Sequence, residues 1–196
     1  MDDHGLDTLL AEIRACRHCE VQLPLGPRPV VQAAATARIL LVGQAPGVRV
    51  HQTGLPFNDP SGDRLRRWLD LDRDTFYDPA RLAIVPMGFC YPGKHGSGDA
   101  PPRPECAALW RQRLLAQLPD IRLTLLIGQY AQAWHLGKRR KKTLTDTVKA
   151  WREYQPAFFV LPHPSPRNVR WFVSKPWFDD EVVPALRAAV HAALAD

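Results

Sequence analysis

The sequence predicts an α/β fold with three layers, in which a central parallel sheet of four strands lies between helices. Four short apolar runs are spread along the chain, and each is nearly continuous, as is typical of strands that are buried on both faces. Helix-like stretches separate these runs. Strands that alternate with helices form βαβ units, which give parallel sheets with helices on both faces.

The strands and helices can be assigned in chain order. The apolar runs read RILLVG, RLAIVP, RLTLLIG and AFFVLP, and they place strands at residues 38–43, 81–86, 122–128 and 157–162. An N-terminal helix is expected to end close to Cys16. Ser61 is a possible cap for the next helix, whose apolar face carries Leu65 and Leu69. The helices after the first are expected at residues 61–70, 104–118, 129–136, 143–151 and 181–194.

Length and composition suit a single domain over residues 1–196. A chain of 196 residues can bury a sizeable core, and its hydrophobic fraction of 45% is ordinary for a soluble protein. No uninterrupted apolar run reaches the roughly eighteen residues of a membrane span. The chain starts with the acidic Met1-Asp2-Asp3-His4, unlike a signal peptide. We therefore expect a cytoplasmic protein without a membrane partner, and a monomer.

The charge favours a polyanionic partner. The formal net charge is +6 and the sequence pI is about 9.4. Nucleic acid is the commonest partner of such a chain, although a basic soluble protein without one is equally supported by charge alone. The basic run KRRKK at residues 138–142 is either a solvated loop or a phosphate contact.

The four cysteines indicate a metal site. Cys16 and Cys19 form a Cys-x-x-Cys pair, Cys90 follows the second predicted strand, and Cys106 starts the helix after a proline-rich loop. Four thiolates can hold a [4Fe–4S] cluster or a tetrahedral zinc ion, and their spacing does not separate the two. The remaining alternative is four unrelated buried thiols.

Two loops carry the candidate chemistry. In open α/β sheets the active site lies beyond the carboxyl ends of the strands, where residues 43–62 and 163–168 follow the first and last strands. Phe57 offers a flat face for stacking a base, and Asp59 could orient a water or cap a helix. His163 could polarise a leaving group, or it could simply bond to its own loop.

These loops resemble the motifs of a known family. The run GQAPG at residues 43–47 resembles the first motif of uracil-DNA glycosylases. The run HPSPRN at residues 163–168 resembles their second motif, in the form found in the single-strand-selective branch. The four cysteines resemble those of the iron–sulfur branches, which are numbered four and five in this superfamily.

The resemblance implies a DNA glycosylase of the base-excision repair type and a role for each matching residue. The cofactor that the resemblance implies is a [4Fe–4S] cluster, and the implied partner is DNA. The implied catalytic residues are Asp59, His163 and Asn168. The implied base-binding residues are Gly43, Gln44, Gly47 and Phe57. The implied DNA-binding residues are Arg170 and Arg167, and Arg167 is the wedge that fills the gap left in the base stack. The implied cluster ligands are Cys16, Cys19, Cys90 and Cys106.

Two positions depart from the family pattern. Ala45 stands where the GQDPY branch has an aspartate, and Val85-Pro86 stand where the iron–sulfur branches have Thr-Asn. That asparagine reads the uracil edge, and proline has no side-chain donor. The expected substrate is therefore a deaminated base, with uracil first and hypoxanthine or xanthine as alternatives. A non-catalytic DNA-binding module on the same scaffold is the competing hypothesis.

Overall fold

The structure is a computed structural model that describes residues 3–195. Met1, Asp2 and Asp196 lie outside the described residues, as does part of the acidic start on which the expectation of a cytoplasmic location was based. Among the described residues, no helix is both long enough and apolar enough to cross a membrane.

A four-stranded parallel sheet forms the centre of the fold. Its strands lie in the order β2 (Leu82–Ile84), β1 (Ile39–Val42), β5 (Leu123–Ile127) and β6 (Phe158–Leu161). All residues of three of its strands are buried, and only Phe158 of β6 is partly exposed, which explains why the strand sequences are apolar without alternation. The predicted fold is confirmed. The strands are β1 (Ile39–Val42), β2 (Leu82–Ile84), β3 (Lys94–His95), β4 (Gly98–Asp99), β5 (Leu123–Ile127) and β6 (Phe158–Leu161).

Helices flank the sheet on both faces, and several differ from the prediction in their bounds. The helices are α1 (Asp3–Arg14), α2 (Val48–Thr53), α3 (Pro60–Leu69), α4 (Arg73–Tyr77), α5 (Pro104–Cys106), α6 (Gln112–Leu115), α7 (Gly128–Leu136), α8 (Leu144–Lys149), α9 (Val169–Val173) and α10 (Val183–Leu194).

Of the two possible caps for α3, Ser61 is wrong and Asp59 is confirmed. The helix begins at Pro60, and the cap is Asp59, whose carboxylate accepts a hydrogen bond from the Gly62 N–H. Ser61 already lies inside the first turn, where proline at the first position fixes a helical φ.

The long helix predicted over residues 104–118 contains an irregularity. A π-helical turn at Ala107–Arg111 joins α5 to α6, and the helix ends at Leu115. A second π turn at Phe178–Val182 precedes α10. Such turns often lie at functional sites, and the first of them directly follows Cys106.

Candidate active site

A cavity lies beyond the carboxyl ends of the parallel strands, between the two motif loops. Its volume is about 450 Å³, within the usual range for small-molecule sites. Apolar groups from Val30, Ile84 and Pro86 line one part, and residues of the two motif loops and of the hairpin β3–β4 line the rest. All seven predicted catalytic and base-binding residues line this cavity: Gly43, Gln44, Gly47, Phe57, Asp59, His163 and Asn168.

Phe57 is held in the wall of the cavity by a strained turn. Its φ of 53° lies in the left-handed region, which is costly for an aromatic residue and is found mainly at functional sites. Gly43 and Gly62 make this position possible. A Cβ on Gly43 would lie 3.1 Å from the Phe57 ring, and one on Gly62 would lie 1.7 Å from the Phe57 carbonyl oxygen. The backbone therefore fixes the aromatic face that the sequence suggested for stacking.

The first motif loop is bonded to the chain that follows β2. The Met87 N–H donates to the Gly43 carbonyl and the Gly88 N–H to the Gln44 carbonyl, each at 2.9 Å. Because Cys90 lies two residues further on, the wall of the cavity and the cysteine-bearing segment are parts of one connected loop.

Asp59 both caps a helix and lines the cavity. Its Oδ1 accepts from the Gly62 N–H at 2.8 Å. Its Oδ2 lies 4.0 Å from the position that a Cβ on Gly47 would take. The two interpretations of Asp59 left open by the sequence are thus compatible, because each uses a different oxygen.

His163 presents a neutral donor to the cavity. Its Nδ1 accepts a hydrogen bond from the Ser165 N–H at 3.2 Å, so a neutral ring carries its proton on Nε2. Burial lowers the pKa of His163, and the carboxylates of Asp59 and Asp99 oppose that shift. A ring that stays uncharged at neutral pH can donate from Nε2 to an oxygen or nitrogen that gains negative charge.

The second motif loop is held from two sides. Asn168 Nδ2 donates to the His163 carbonyl at 2.8 Å, so this predicted catalytic residue also fixes the backbone of the histidine. Arg64 on α3 donates to the carbonyls of Pro164 and Ser165 at 3.3 and 3.2 Å. Its guanidinium also lies 4.8 Å from the centre of the Phe172 ring.

The predicted DNA-binding arginines differ in position. Arg167 is exposed and lines the mouth of the cavity. Arg170 is also exposed, but it lies on α9 and does not line the cavity. In the basic run, Lys141 is bonded to Glu153 at 2.5 Å, so one of its five cations already has an acidic partner.

Two further residues at the site were not predicted from the sequence. Asp99 lines the cavity from the hairpin β3–β4. Arg111 is fully buried and donates to the carbonyls of Pro86 and Val85, each at 3.0 Å. It thereby holds Pro86, which lies in the cavity wall. A lone arginine in a helical pattern gives no sequence signal of such a role.

The four cysteines line a separate, small hollow. All four are free thiols, and Trp110 and Arg103 lie beside them. Burial is the main cause that raises the pKa of Cys90 to about 12, and the neighbouring thiols add to it. Burial also raises the pKa of Cys19 and the pKa of Cys106. Within residues 3–195, no group of three or more His, Cys, Asp or Glu side chains is arranged to hold a metal ion.

The hollow nevertheless has the donor chemistry that a cluster needs. Three buried thiols and the partly exposed Cys16 would repel one another as thiolates, and a cationic centre between them would offset that repulsion. The indole Nε1–H of Trp110 is buried without a hydrogen-bond partner, and such a donor suits a cluster sulfur. Arg103, which is paired with Glu105, lines the same hollow.

The fold and the cavity together define an α/β protein with a cavity at the carboxyl ends of its parallel sheet. An aromatic ring, an imidazole and a carboxylate line that cavity. The family model of the Uracil DNA glycosylase superfamily matches residues 30–187. The chain belongs to that superfamily, whose members are usually DNA glycosylases.

Proposed function

We propose that this protein is a DNA glycosylase that hydrolyses the N-glycosidic bond of a deaminated base. One observation carries the proposal: Phe57 and Asp59 of the first motif loop and His163 of the second, which are far apart in sequence, line the same cavity. Uracil is the first substrate to test. DNA is the partner, and Arg167 and Arg170 are its proposed contacts.

The chemistry follows from the positions of these three side chains. A base inside a duplex must be rotated out of the stack before its sugar bond can be reached, and Phe57 would then stack on it. As the bond from C1′ to the base nitrogen breaks, the electron pair leaves with the base. The Nε2–H of His163 would stabilise the departing anion, and the Asp59 carboxylate would offset the positive charge on the sugar.

The cavity wall at Pro86 is a reason to consider two further substrates, hypoxanthine and xanthine. Proline offers no side-chain hydrogen bond, and Arg111 already engages its carbonyl oxygen. The uracil edge would therefore lack the contact that the family's asparagine makes, so hypoxanthine and xanthine are tested beside uracil. The same observation keeps a non-catalytic DNA-binding module as the competing function.

We also propose that Cys16, Cys19, Cys90 and Cys106 hold a [4Fe–4S] cluster, with structural zinc as the alternative. This would place the chain in an iron–sulfur branch of the superfamily. When bound, the group would supply a structural crosslink between the end of α1 and the loop after β2. Binding only to the folded state would add to the free energy of unfolding.

Single-turnover kinetics with excess protein tests the catalytic assignment. Asp59→Asn retains a capping oxygen for the Gly62 N–H but loses the negative charge. His163→Ala removes the donor to the base. We expect each variant to lower the rate of base release by about two orders of magnitude or more, with little change in DNA affinity.

The matched control is Asp179→Asn, which makes the same change at an exposed carboxylate that does not line the cavity. It should release base at the wild-type rate. Near-wild-type rates in both Asp59→Asn and His163→Ala would mean that other groups perform the reaction. Tight DNA binding without release of any base by the wild-type protein would support the binding module instead.

A further inference from the structure

A second carboxylate reaches the cavity from the hairpin β3–β4. Asp99 ends β4 and pairs with Lys94 across the hairpin, and its Oδ1 lies 3.2 Å from the Lys94 ammonium. The Asp99 side chain is 38% exposed, so it lies where the cavity opens to solvent. The hairpin belongs to the loop that follows β2 and carries Cys90.

Asp99 and Asp59 approach the same point from two loops. A Cβ on Gly47 would lie 3.6 Å from Asp99 Oδ2 and 4.0 Å from Asp59 Oδ2. The glycine therefore leaves a gap between two carboxylate oxygens. In each carboxylate the other oxygen is already bonded, to the Gly62 N–H in Asp59 and to Lys94 in Asp99. The two remaining oxygens thus lie on either side of one region near His163. The charges of both carboxylates raise the pKa of His163, against the larger effect of burial.

The two carboxylates differ in their fixed partners. Asp59 is bonded at the N-terminus of the ten-residue helix α3, where the helix dipole favours a negative charge. Asp99 is bonded to a lysine ammonium that is 59% exposed and therefore screened by solvent. Of the two remaining oxygens, that of Asp99 also lies nearer to the gap, at 3.6 Å against 4.0 Å from the position of the added Cβ.

We propose that Asp99 is a second catalytic residue, which holds the attacking water at the gap beside Gly47 and accepts its proton. This inference rests on the proposed glycosylase function and assigns the hydrolytic half of the reaction. The water oxygen forms a bond to C1′ as the bond to the base nitrogen breaks. The electron pair leaves with the base, and one water proton passes to Asp99 Oδ2 and later to solvent or to the released base.

The gap itself can be tested with a methyl group. Gly47 has a φ of −80°, which alanine adopts without strain, and the nearest atoms to the new Cβ would lie at ordinary contact distances. Gly47→Ala should therefore fold normally and place a methyl where the water is needed. We expect it to slow base release by at least about tenfold while duplex binding and Tm stay close to those of the wild type.

The decisive experiment compares Asp99→Asn and Asp99→Ala with the wild type under single-turnover conditions, on the substrate that the wild type cleaves. Both variants should release base about one hundred times more slowly or worse. DNA affinity should be equal or higher, because a negative charge near phosphates is removed. Added formate should restore part of the rate of Asp99→Ala, and chloride at the same ionic strength should not.

Lys94→Gln removes the ion pair of the hairpin and leaves the Asp99 carboxylate in place. It therefore distinguishes proton acceptance by Asp99 from stabilisation of the hairpin by the ion pair. If Asp99 acted only through its ion pair, Lys94→Gln would slow the reaction as much as Asp99→Asn, and formate would rescue nothing. Either of those results, or a rate for Asp99→Asn within about threefold of wild type, overturns the assignment of Asp99. A wild-type protein that releases no base at all refutes the proposed function itself, and the inference with it.

Discussion

Replacing Arg111 with methionine separates the stabilising and positioning effects of this buried cation. The side chain donates to two carbonyls, and hydrogen bonds to charged groups contribute about 1.5–3 kcal/mol each, or about 3–6 kcal/mol together. Against this, burial lowers the pKa of Arg111 from 12.5 to about 10, which corresponds to a cost of about 3 kcal/mol for keeping the charge. The net contribution to the free energy of unfolding is then between nearly zero and about 3 kcal/mol.

Methionine fills much of the same volume without a charge, so Arg111→Met should lower the free energy of unfolding by no more than about 3 kcal/mol in a urea titration. It should slow base release more clearly, because the Pro86 carbonyl in the cavity wall loses its partner. Arg111→Lys is the control, since it keeps the charge but its ammonium lacks the fork that bonds both carbonyls. A much larger loss of stability, or an unchanged rate of base release, would refute the positioning role.

Three other predictions concern pH, the cysteines and DNA. Burial lowers the pKa of His135 from 6.5 to about 3. Below about pH 6.5 this histidine is therefore protonated in the unfolded chain but not in the folded chain, and the free energy of unfolding falls as the pH falls. Between pH 6.5 and 5 this amounts to about 2 kcal/mol by denaturant titration, and His135→Gln should show a flatter pH dependence; parallel curves would contradict it. Anaerobically purified protein should contain about four irons per chain, and Cys90→Ala should lose them and melt at a lower temperature, whereas stoichiometric zinc without iron would contradict the cluster. Arg167→Ala should weaken binding to duplex more than to single strands, because a wedge acts only where a stack must be opened, and equal losses would argue against that role.

The sheet was predictable because its strands are buried on both faces. Each apolar run of the sequence contains one observed strand, although the strands are shorter by one or more residues at their ends. The hairpin β3–β4 was not predictable in the same way. Its strands have two residues each and are largely exposed, so no apolar pattern distinguishes them from the glycine-rich loop around them.

The candidate site was predictable as a set of residues but not as a geometry. Motif resemblance suggested Phe57, Asp59 and His163 as one site, and all three line the same cavity. The tautomer of His163 depends on the Ser165 N–H, which only the folded loop positions. The role of Asp99 depends on the hairpin that carries it, and that of Arg111 on two carbonyls about 25 residues away in sequence.

The most direct test of glycosylase activity is the detection of free base. Oligonucleotides that contain a single uracil, hypoxanthine or xanthine, each as a single strand and as a duplex, are incubated with excess protein and analysed by mass spectrometry for free base and for the abasic strand. The account predicts equal amounts of both products from at least one of these substrates, and none from the double variant Asp59→Asn/His163→Ala. Binding of the oligonucleotides without any free base, or equal release by the double variant, would contradict it.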